Sequence, residues 1–176
     1  KSLSGVLPKV YASPDLDQRV LGEVVDIFTN INMFAHGNEK DLLGRTYEYC
    51  LEQFAAYEGK NGGEFYTPTS IVKTIVEILK PFNGRVYDPA CDSGGMFVQS
   101  ETFVENHSGN INNLSIYGQE ANADTWKMAK INMAIRGIEP NFGPHQADTF
   151  IDDLHPTLKA DYIMANPSFN LKKWGA

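Results

Sequence analysis

The alternation of short apolar strands with helices in the second half of the chain constrains its fold more than any other feature. Four segments of the 176-residue chain are predicted strands: GRVYDPA, LSIYGQE, NFGPHQAD and ADYIMANP. A helix opened by Gly94-Gly95 is predicted after the first strand, and another follows the second from about Ala121 to Arg136, ending at Gly137. Strands that alternate with helices form parallel sheets. The predicted fold class is therefore α/β, with a doubly wound, mainly parallel sheet.

A further helix is predicted before the first strand, over residues 69–80. Thr67 is a potential N-cap, Pro68 takes the first helical position and Pro81 ends the helix. Its inward-facing side chains are predicted to be Ile71, Ile75, Ile78 and Leu79.

The N-terminal part is predicted to be a helical segment. Apolar residues recur at three-to-four spacing from Asp15 to Phe34, which indicates a helix that faces the core. A second helical pattern follows in EKDLLGRTYEYCLEQFAAYE and ends in a loop at Gly59–Gly63. The predicted domains are a helical segment over 1–58 and an α/β domain over 63–176. Because four parallel strands would leave an open apolar edge, we expect the sheet to continue past Ala176.

Charge and composition exclude several classes of function. A net charge of −7 and a pI of about 5.0 argue against this chain alone binding a polyanion. A basic partner, or sequence outside this chain, is expected to hold any nucleic acid. The two cysteines, Cys50 and Cys91, indicate neither a disulfide framework nor a metal site, and no apolar run reaches the roughly 20 residues of a membrane span. We expect a cytoplasmic protein with no metal and no membrane partner.

Polar residues stand where each predicted strand ends, namely Asp88, Glu120, Asp148 and the pair Asn166-Pro167. In a doubly wound sheet, ligands bind beyond these carboxyl ends. A single strand-end carboxylate is more often a turn former or a helix cap. Four such ends in register favour a binding site.

The loop DPACDSGG, at positions 88–95, has the position of a phosphate-binding loop but not its chemistry. It lacks the G-x-G-x-x-G pattern of dinucleotide sites and a Walker lysine, which argues against a nicotinamide-dependent oxidoreductase. The carboxylates of Asp88 and Asp92 favour a cationic ligand, and the sulfonium of S-adenosylmethionine is one. Glu120, at the end of the next strand, is placed to accept both ribose hydroxyls. The alternative for Glu120 is a solvated strand-end glutamate.

The segment ANPSF, at positions 165–169, has the pattern expected of a site for a planar amino group. Asn166 offers a side-chain oxygen, and Pro167 fixes the direction of an adjacent main-chain carbonyl. Phe169 offers a face on which a flipped base stacks, worth roughly 1 to 3 kcal/mol. In isolation the same residues are more often a turn and a core phenylalanine. The strand before them and the loop upstream favour the functional interpretation.

The motifs GEFYTP, DPACDSGG, GQE, AD and NPSF, in this order, resemble those of the adenine-N6 DNA methyltransferases. The resemblance is closest to the modification subunit of type I restriction-modification systems, and LLGRTYEYCLEQFA is similar to the helical lead-in of that subunit. It implies a Rossmann-like methyltransferase fold, here truncated at its C-terminus, and methyl transfer from S-adenosylmethionine to the N6 amino group of adenine in DNA. It also implies a specificity subunit that recognises the DNA and a restriction subunit.

The resemblance also implies a role for each matching residue. The residues beside the methionine part of the cofactor would be Glu64, Phe65, Tyr66, Thr67, Pro68 and Thr69. The loop would be formed by Asp88, Ser93, Gly94 and Gly95, with Glu120 on the ribose and Asp148 on the adenine. The target adenine would be oriented by Asn166, Pro167 and Phe169 for direct attack of its amino nitrogen on the methyl group. Because no covalent intermediate is needed, Cys91 is not expected to be a nucleophile.

Two positions depart from the family pattern. Asp92 stands where the family usually has glycine, and Ser168 stands where it usually has proline. Asp tolerates unusual backbone angles, but its side chain can crowd a cofactor. A catalytically degenerate domain that serves cofactor binding or assembly is therefore the alternative function. Methylation of RNA or of a protein glutamine also stays open, because the NPSF pattern does not name the molecule that carries the amino group.

Overall fold

The computed structural model describes residues 3, 5–7, 9–30, 39–58 and 66–167. Within these ranges the elements follow in the order α1 (Gln18–Asn30), α2 (Glu39–Glu58), α3 (Thr69–Leu79), β1 (Gly84–Asp88), α4 (Gly95–Asn106), β2 (Leu114–Gly118), α5 (Ala123–Arg136) and β3 (Tyr162–Ile163). No helix in the described part of the chain combines the length and the apolar character needed to cross a membrane.

The strands form one parallel sheet in which β1 lies between β2 and β3. β1 and β2 pair along their whole length, so that Asp88 lies opposite Gly118 at their carboxyl ends. β3 is only two residues long, and the Met164 amide extends it by donating to the Tyr87 oxygen at 3.0 Å. The predicted α/β class and parallel sheet are confirmed, with the first, second and fourth predicted strands present.

The third predicted strand, in NFGPHQAD, is wrong as a regular strand. Asn141 forms a single bridge to β2, and the amide of Ala147 donates to the Glu120 oxygen at 2.9 Å. Between these contacts Gly143 has a φ of 69°, and Pro144 has no amide proton to donate. The segment therefore follows the end of β2 without forming a ladder.

Helices α4 and α5 confirm their predictions closely. α4 begins at Gly95 and buries Phe97 and Val104 completely. α5 ends at Arg136, and Gly137 takes the left-handed conformation with a φ of 74°. The core around them contains Val72, Val76, Val86, Met96, Phe97, Val98, Phe103, Val104, Ile116, Ala129, Met133, Phe142 and Met164.

Helix α3 is confirmed, but the inward face predicted for it is only partly right. Val72 and Val76 are the buried residues. Of the predicted residues, Ile75 packs against the core, whereas Ile71 and Ile78 are 48% and 74% exposed. Apolar residues cover so much of this helix that periodicity alone does not select the buried stripe. A β-carbon added at Gly95 would lie 3.9 Å from Val72, so the smaller valines face the start of α4.

The prediction that the first helix faces the core is also wrong. α1 forms, but none of its residues is buried, and Val25 and Ile27 are 54% and 61% exposed. Periodicity indicates that a helix has an apolar face and says nothing about what lies against that face. The predicted extension of this helix to Phe34 lies outside the described residues.

Helix α2 lies against α5. The Tyr47 hydroxyl donates to the Met128 oxygen at 3.1 Å, and Arg136 Nη2 lies 3.0 Å from Glu48 Oε1. A β-carbon at Gly44 would lie 2.7 Å from the Arg136 guanidinium, so glycine permits this close approach. Partly buried polar contacts thus attach α2 to the helix that follows β2.

Candidate active site

The loop after β1 is anchored to the end of β2 by main-chain hydrogen bonds. The Gln119 amide donates to the Asp88 oxygen at 3.0 Å, and the Cys91 amide donates to the Gln119 oxygen at 2.8 Å. The side chain of Asp88 is 1% exposed, and its Oδ1 accepts from the Ala90 amide at 3.0 Å. The loop therefore begins with a buried carboxyl group at the centre of the sheet's carboxyl edge.

The second half of this loop adopts a conformation that few residues tolerate. Asp92 and Gly94 have φ angles of 49° and 84°, in the left-handed region. A β-carbon at Gly94 would lie 3.0 Å from Met133 Cε, so α5 leaves little room there. The Ser93 oxygen accepts from Asn132 Nδ2 at 2.9 Å. Backbone angles and helix contacts together fix the loop before α4 begins.

Glu120 connects the loop to the end of β2. Its Oε2 accepts from the Asp92 amide at 3.0 Å, and its Oε1 accepts from the Asn122 amide at 2.8 Å. Only 7% of Glu120 is exposed. Because each carboxylate oxygen has a second lone pair, Glu120 can still accept from a ligand hydroxyl.

Three buried carboxyl groups repel one another in this site. Burial, with the nearby Glu120 charge, raises the pKa of Asp88 to about 7. Burial and the charges of Glu120 and Asp88 raise the pKa of Asp92 to about 8. Burial also raises the pKa of Glu120, and burial with these carboxylates raises the pKa of the Cys91 thiol well above its usual value. Cys91 therefore stays a protonated thiol.

The side chains of Asn166 and Asp92 meet at Thr67. Thr67 Oγ1 donates to Asp92 Oδ2 at 3.0 Å, and Asn166 Nδ2 donates to Thr67 Oγ1 at 3.1 Å. The sequence position of Thr67 predicts that it caps α3, but it does not. Pro68 occupies the N-cap position, and no side chain caps the helix. Residues far apart in sequence thus form one connected group.

Of the remaining predicted site residues, some are described but do not hydrogen-bond to this group, and the others lie outside the described ranges. The Tyr66 hydroxyl is 3.1 Å from Thr69 Oγ1 on the exposed side of α3. Asp148 follows the Ala147–Glu120 contact, and its Oδ1 accepts from the Phe150 amide at 2.9 Å. Pro68 and Pro167 are exposed. Glu64, Phe65 and Phe169, with Ser168, lie outside the described residues.

Several side chains that support the site were missed by the sequence reasoning. Gln119 is fully buried, donates to the Asp152 oxygen at 2.9 Å and accepts from the Leu154 amide at 3.0 Å. Asn132 is fully buried within α5, and Asn122 caps the same helix. An asparagine immediately before a helix signals an N-cap. Gln119 lies in the GQE motif, but nothing in the sequence indicates its role or that of Asn132, because the partners of both are distant in sequence.

Comparisons with known proteins place the chain beside restriction-modification methylases. It is 58% identical over 139 residues to the type I restriction enzyme HindI methylase subunit of Haemophilus influenzae, which covers 79% of this chain and 31% of that subunit. It is 40% identical over 174 residues to the type I restriction enzyme MjaIX methylase subunit of Methanocaldococcus jannaschii, covering 99% of this chain and 31% of that subunit. This chain spans about a third of the length of either relative.

Solved structures and a family model agree with these relatives. The type I restriction-modification system methyltransferase subunit of Streptococcus thermophilus matches with a TM-score of 0.62 and 29% identity, over 75% of this chain and 28% of that one. The family model described as N-6 DNA methylase matches residues 38–176. That match runs from α2 through the loop after β1 to Asn166, and so includes every residue of the candidate site. The chain belongs to the N-6 DNA methylase family.

Proposed function

We propose that this chain is the catalytic part of a type I modification subunit, which transfers a methyl group from S-adenosylmethionine to the N6 amino group of adenine in DNA. The hydrogen bond from Asn166 to Thr67 carries the proposal, because it joins the NPSF motif to the loop after β1. A methyl acceptor and a methyl donor must meet at one place, and these two segments are the candidates for holding them. The names of the relatives support the same reaction.

The charge of the site fits a cationic cofactor. Asp88, Asp92 and Glu120 are each less than a tenth exposed, and none of the ion pairs within the described ranges includes any of them. A bound sulfonium offsets the repulsion among carboxylates that burial intensifies. Once bound, S-adenosylmethionine supplies an electrophilic methyl group. Residues in the described ranges include no group of three or more His, Cys, Asp or Glu arranged to hold a metal ion.

The proposed cofactor residues act by binding and orienting. Glu120 accepts the ribose hydroxyls and Asp148 accepts from the adenine, while Asp88 and the loop residues Ser93, Gly94 and Gly95 enclose the ligand. The segment formed by Glu64, Phe65, Tyr66, Thr67, Pro68 and Thr69 would hold the methionine part. Burial of the loop under α4 and α5 excludes water from this side of the site.

The proposed catalytic residues orient the amino group of the target adenine. Asn166 Oδ1 and the Pro167 carbonyl accept its two hydrogens, which directs the nitrogen lone pair towards the methyl donor. Phe169 would stack on the flipped base. Attack is direct, and the buried, protonated Cys91 takes no part.

The acidic balance of the chain supports a division of labour among subunits. With a net charge of −7, this chain contributes little of the phosphate neutralisation that DNA binding requires. A specificity subunit would hold and recognise the DNA, and a restriction subunit would complete the assembly in the cytoplasm.

Labelled methyl transfer tests the reaction directly. The complete subunit that contains this chain, assembled with its specificity subunit, is incubated with S-adenosylmethionine carrying a tritiated methyl group and with DNA. After the DNA is digested to nucleosides, the expected product is labelled N6-methyldeoxyadenosine. Asn166→Ala is expected to lower the rate at least about a hundredfold, whereas the exposed-residue control Asn113→Ala is not. Absence of transfer, or equal rates for Asn166→Ala and parent, contradicts the proposal.

Calorimetry separates the reaction from the alternative of a degenerate domain. The presence of Asp92 where the family usually has glycine is the observation that favours that alternative. Binding of S-adenosylmethionine that is lost in Glu120→Ala, together with methyl transfer, supports the enzyme. The same binding without transfer supports a cofactor-binding or assembly role.

A further inference from the structure

The Thr67 hydroxyl links Asp92 to Asn166 through two hydrogen bonds, 3.0 Å and 3.1 Å long. Thr67 and Asp92 are each 8% exposed, so water does not compete freely for these bonds. A hydroxyl group carries a single proton. Once that proton is committed to one partner, the direction of the other hydrogen bond is fixed.

An ionised Asp92 commits this proton. A carboxylate can only accept, so Thr67 must donate to Asp92 Oδ2, and the Thr67 oxygen must then accept from Asn166. The amide group of Asn166 that faces Thr67 is therefore the NH₂ group. Its Oδ1 accepts no hydrogen bond from the residues that the structure describes. That oxygen remains available to a donor outside the chain.

We propose that Asp92 is a positioning residue: through the Thr67 hydroxyl it holds the Asn166 amide in the orientation that leaves Oδ1 free to accept from a substrate amino group. The inference rests on the proposed function, since it gives Asn166 Oδ1 a substrate to bind. It also gives a role to the residue that departs from the family pattern. A glycine at this position has no oxygen with which to fix the Thr67 proton.

Protonation of Asp92 removes this constraint. A neutral Asp92 carboxyl group can donate to Thr67 Oγ1, which frees the Thr67 proton to donate to the oxygen of a turned Asn166 amide. The turned amide presents NH₂ to the substrate and can no longer accept from it. Burial, followed by the charges of Glu120 and Asp88, raises the pKa of Asp92 to about 8, although the Thr67 hydrogen bond lowers it. The Cys91 thiol, whose pKa the Asp92 charge raises, is the other titratable group beside it. The reactive orientation is therefore favoured as pH rises through this range.

Nuclear magnetic resonance tests the link without any turnover. In protein labelled with ¹⁵N-asparagine, the Asn166 side-chain signal, assigned by its loss in Asn166→Ala, is expected to shift from about pH 6 to about pH 9.5 as Asp92 titrates. Asp92→Asn and Thr67→Val should abolish the shift, whereas Thr67→Ser should keep it. A signal that stays fixed in the parent, or that moves equally in Thr67→Val, overturns the proposal.

Methyl-transfer kinetics test the consequence for the reaction. Asp92→Gly is expected to lower kcat by roughly tenfold with little change in the KM for DNA. Asp92→Asn should recover most of that loss and remove the rise of kcat with pH, because its side-chain oxygen accepts from Thr67 without titrating. The double variant Thr67→Val/Asp92→Gly should have a kcat no lower than that of the slower single variant. The control is Asp26→Asn on exposed α1.

The two proposals fail in different ways. If the parent complex transfers no methyl group, the proposed function fails, and the resonance experiment still decides whether Asp92 controls Asn166. If the parent is active and Asp92→Gly matches it at every pH, the function stands and the role of Asp92 is refuted.

Discussion

The side-chain amide of Asn132 donates a hydrogen bond to the main-chain oxygen of Ser93, 2.9 Å away, and so attaches helix α5 to the loop that follows β1. Asn132 is 1% exposed, and Ser93 is 3% exposed. A buried carbonyl that loses its donor also has no water with which to replace it. The loop thus depends for its position on a residue that no ligand is expected to touch.

Asn132→Ala is expected to lower the free energy of unfolding by about 1 to 3 kcal/mol, because the Ser93 oxygen is left buried without a donor. Urea unfolding followed by fluorescence measures this change. Calorimetry should also show weaker binding of S-adenosylmethionine, since the loop is released. The matched control is Asn113→Ala, which removes an exposed asparagine beside β2. Equal losses in the two variants would refute a specific role for Asn132.

The buried carboxyl groups predict that the protein loses stability as pH rises. The pKa of Asp88 is about 7 and that of Asp92 about 8 in the folded chain, against an ordinary value of 3.8. At pH values between the ordinary and the raised pKa, the native state binds more protons than the unfolded state. The free energy of unfolding therefore falls with increasing pH in this range. It should be highest near the ordinary carboxyl pKa and decrease from about pH 4 to about pH 8 in urea unfolding experiments.

Asp92→Asn should remove part of this slope. The change keeps the size of the side chain and tolerates the left-handed φ of 49°. We expect the variant to have a higher free energy of unfolding than the parent at about pH 8 and to approach the parent near pH 4. The control Asp26→Asn removes an exposed charge and should leave the slope unchanged. An unchanged slope in Asp92→Asn would contradict the raised pKa.

The strand-end residues of this site could be predicted from sequence because parallel strands bring their carboxyl ends to one edge. Asp88 and Glu120 therefore lie at the strand ends that the alternation of strands and helices predicts. The link from Asn166 to Asp92 could not be predicted in the same way. It requires the Thr67 side chain to bind Asp92 and Asn166 instead of capping α3, and that orientation is determined only in the folded chain.

The incorrect predictions for the helices and for the third strand also have physical causes. The buried face of α3 and the exposed face of α1 both depend on which elements meet, which periodicity does not report. The third predicted strand is interrupted by Gly143 and Pro144, whose backbone effects prevent a ladder.

Gln119 is predicted to hold the segment after Asp148 in place. Its side chain binds the Asp152 oxygen and the Leu154 amide at once, and Tyr87 donates to it at 3.3 Å. Gln119→Met keeps the length of the side chain but removes these bonds. Hydrogen exchange should show faster exchange of the Leu154 amide by at least about tenfold, with little change at the Tyr117 amide inside β2. Unchanged exchange at Leu154 would show that other contacts hold the segment.

Replacement of Gly118, the last residue of β2, is predicted to destabilise the fold. A β-carbon there would lie 2.9 Å from Phe142 Cε1 and 3.1 Å from Phe97 Cε2. Both rings are buried at 2% exposure or less, so neither can move aside cheaply. Gly118→Ala should lower the free energy of unfolding by about 1 to 3 kcal/mol in urea titration.

Gly22→Ala is the matched control for this clash. Gly22 lies within α1, and a β-carbon there meets nothing within 4 Å. Alanine favours a helix over glycine by up to about 1 kcal/mol, so this variant should be neutral or more stable. Gly118→Ala lowers stability through two aromatic rings, whereas Gly22→Ala changes only backbone preference. Comparable stability of the two variants would mean that the rings around Gly118 rearrange without cost, and that the carboxyl end of β2 is less tightly packed than these distances indicate.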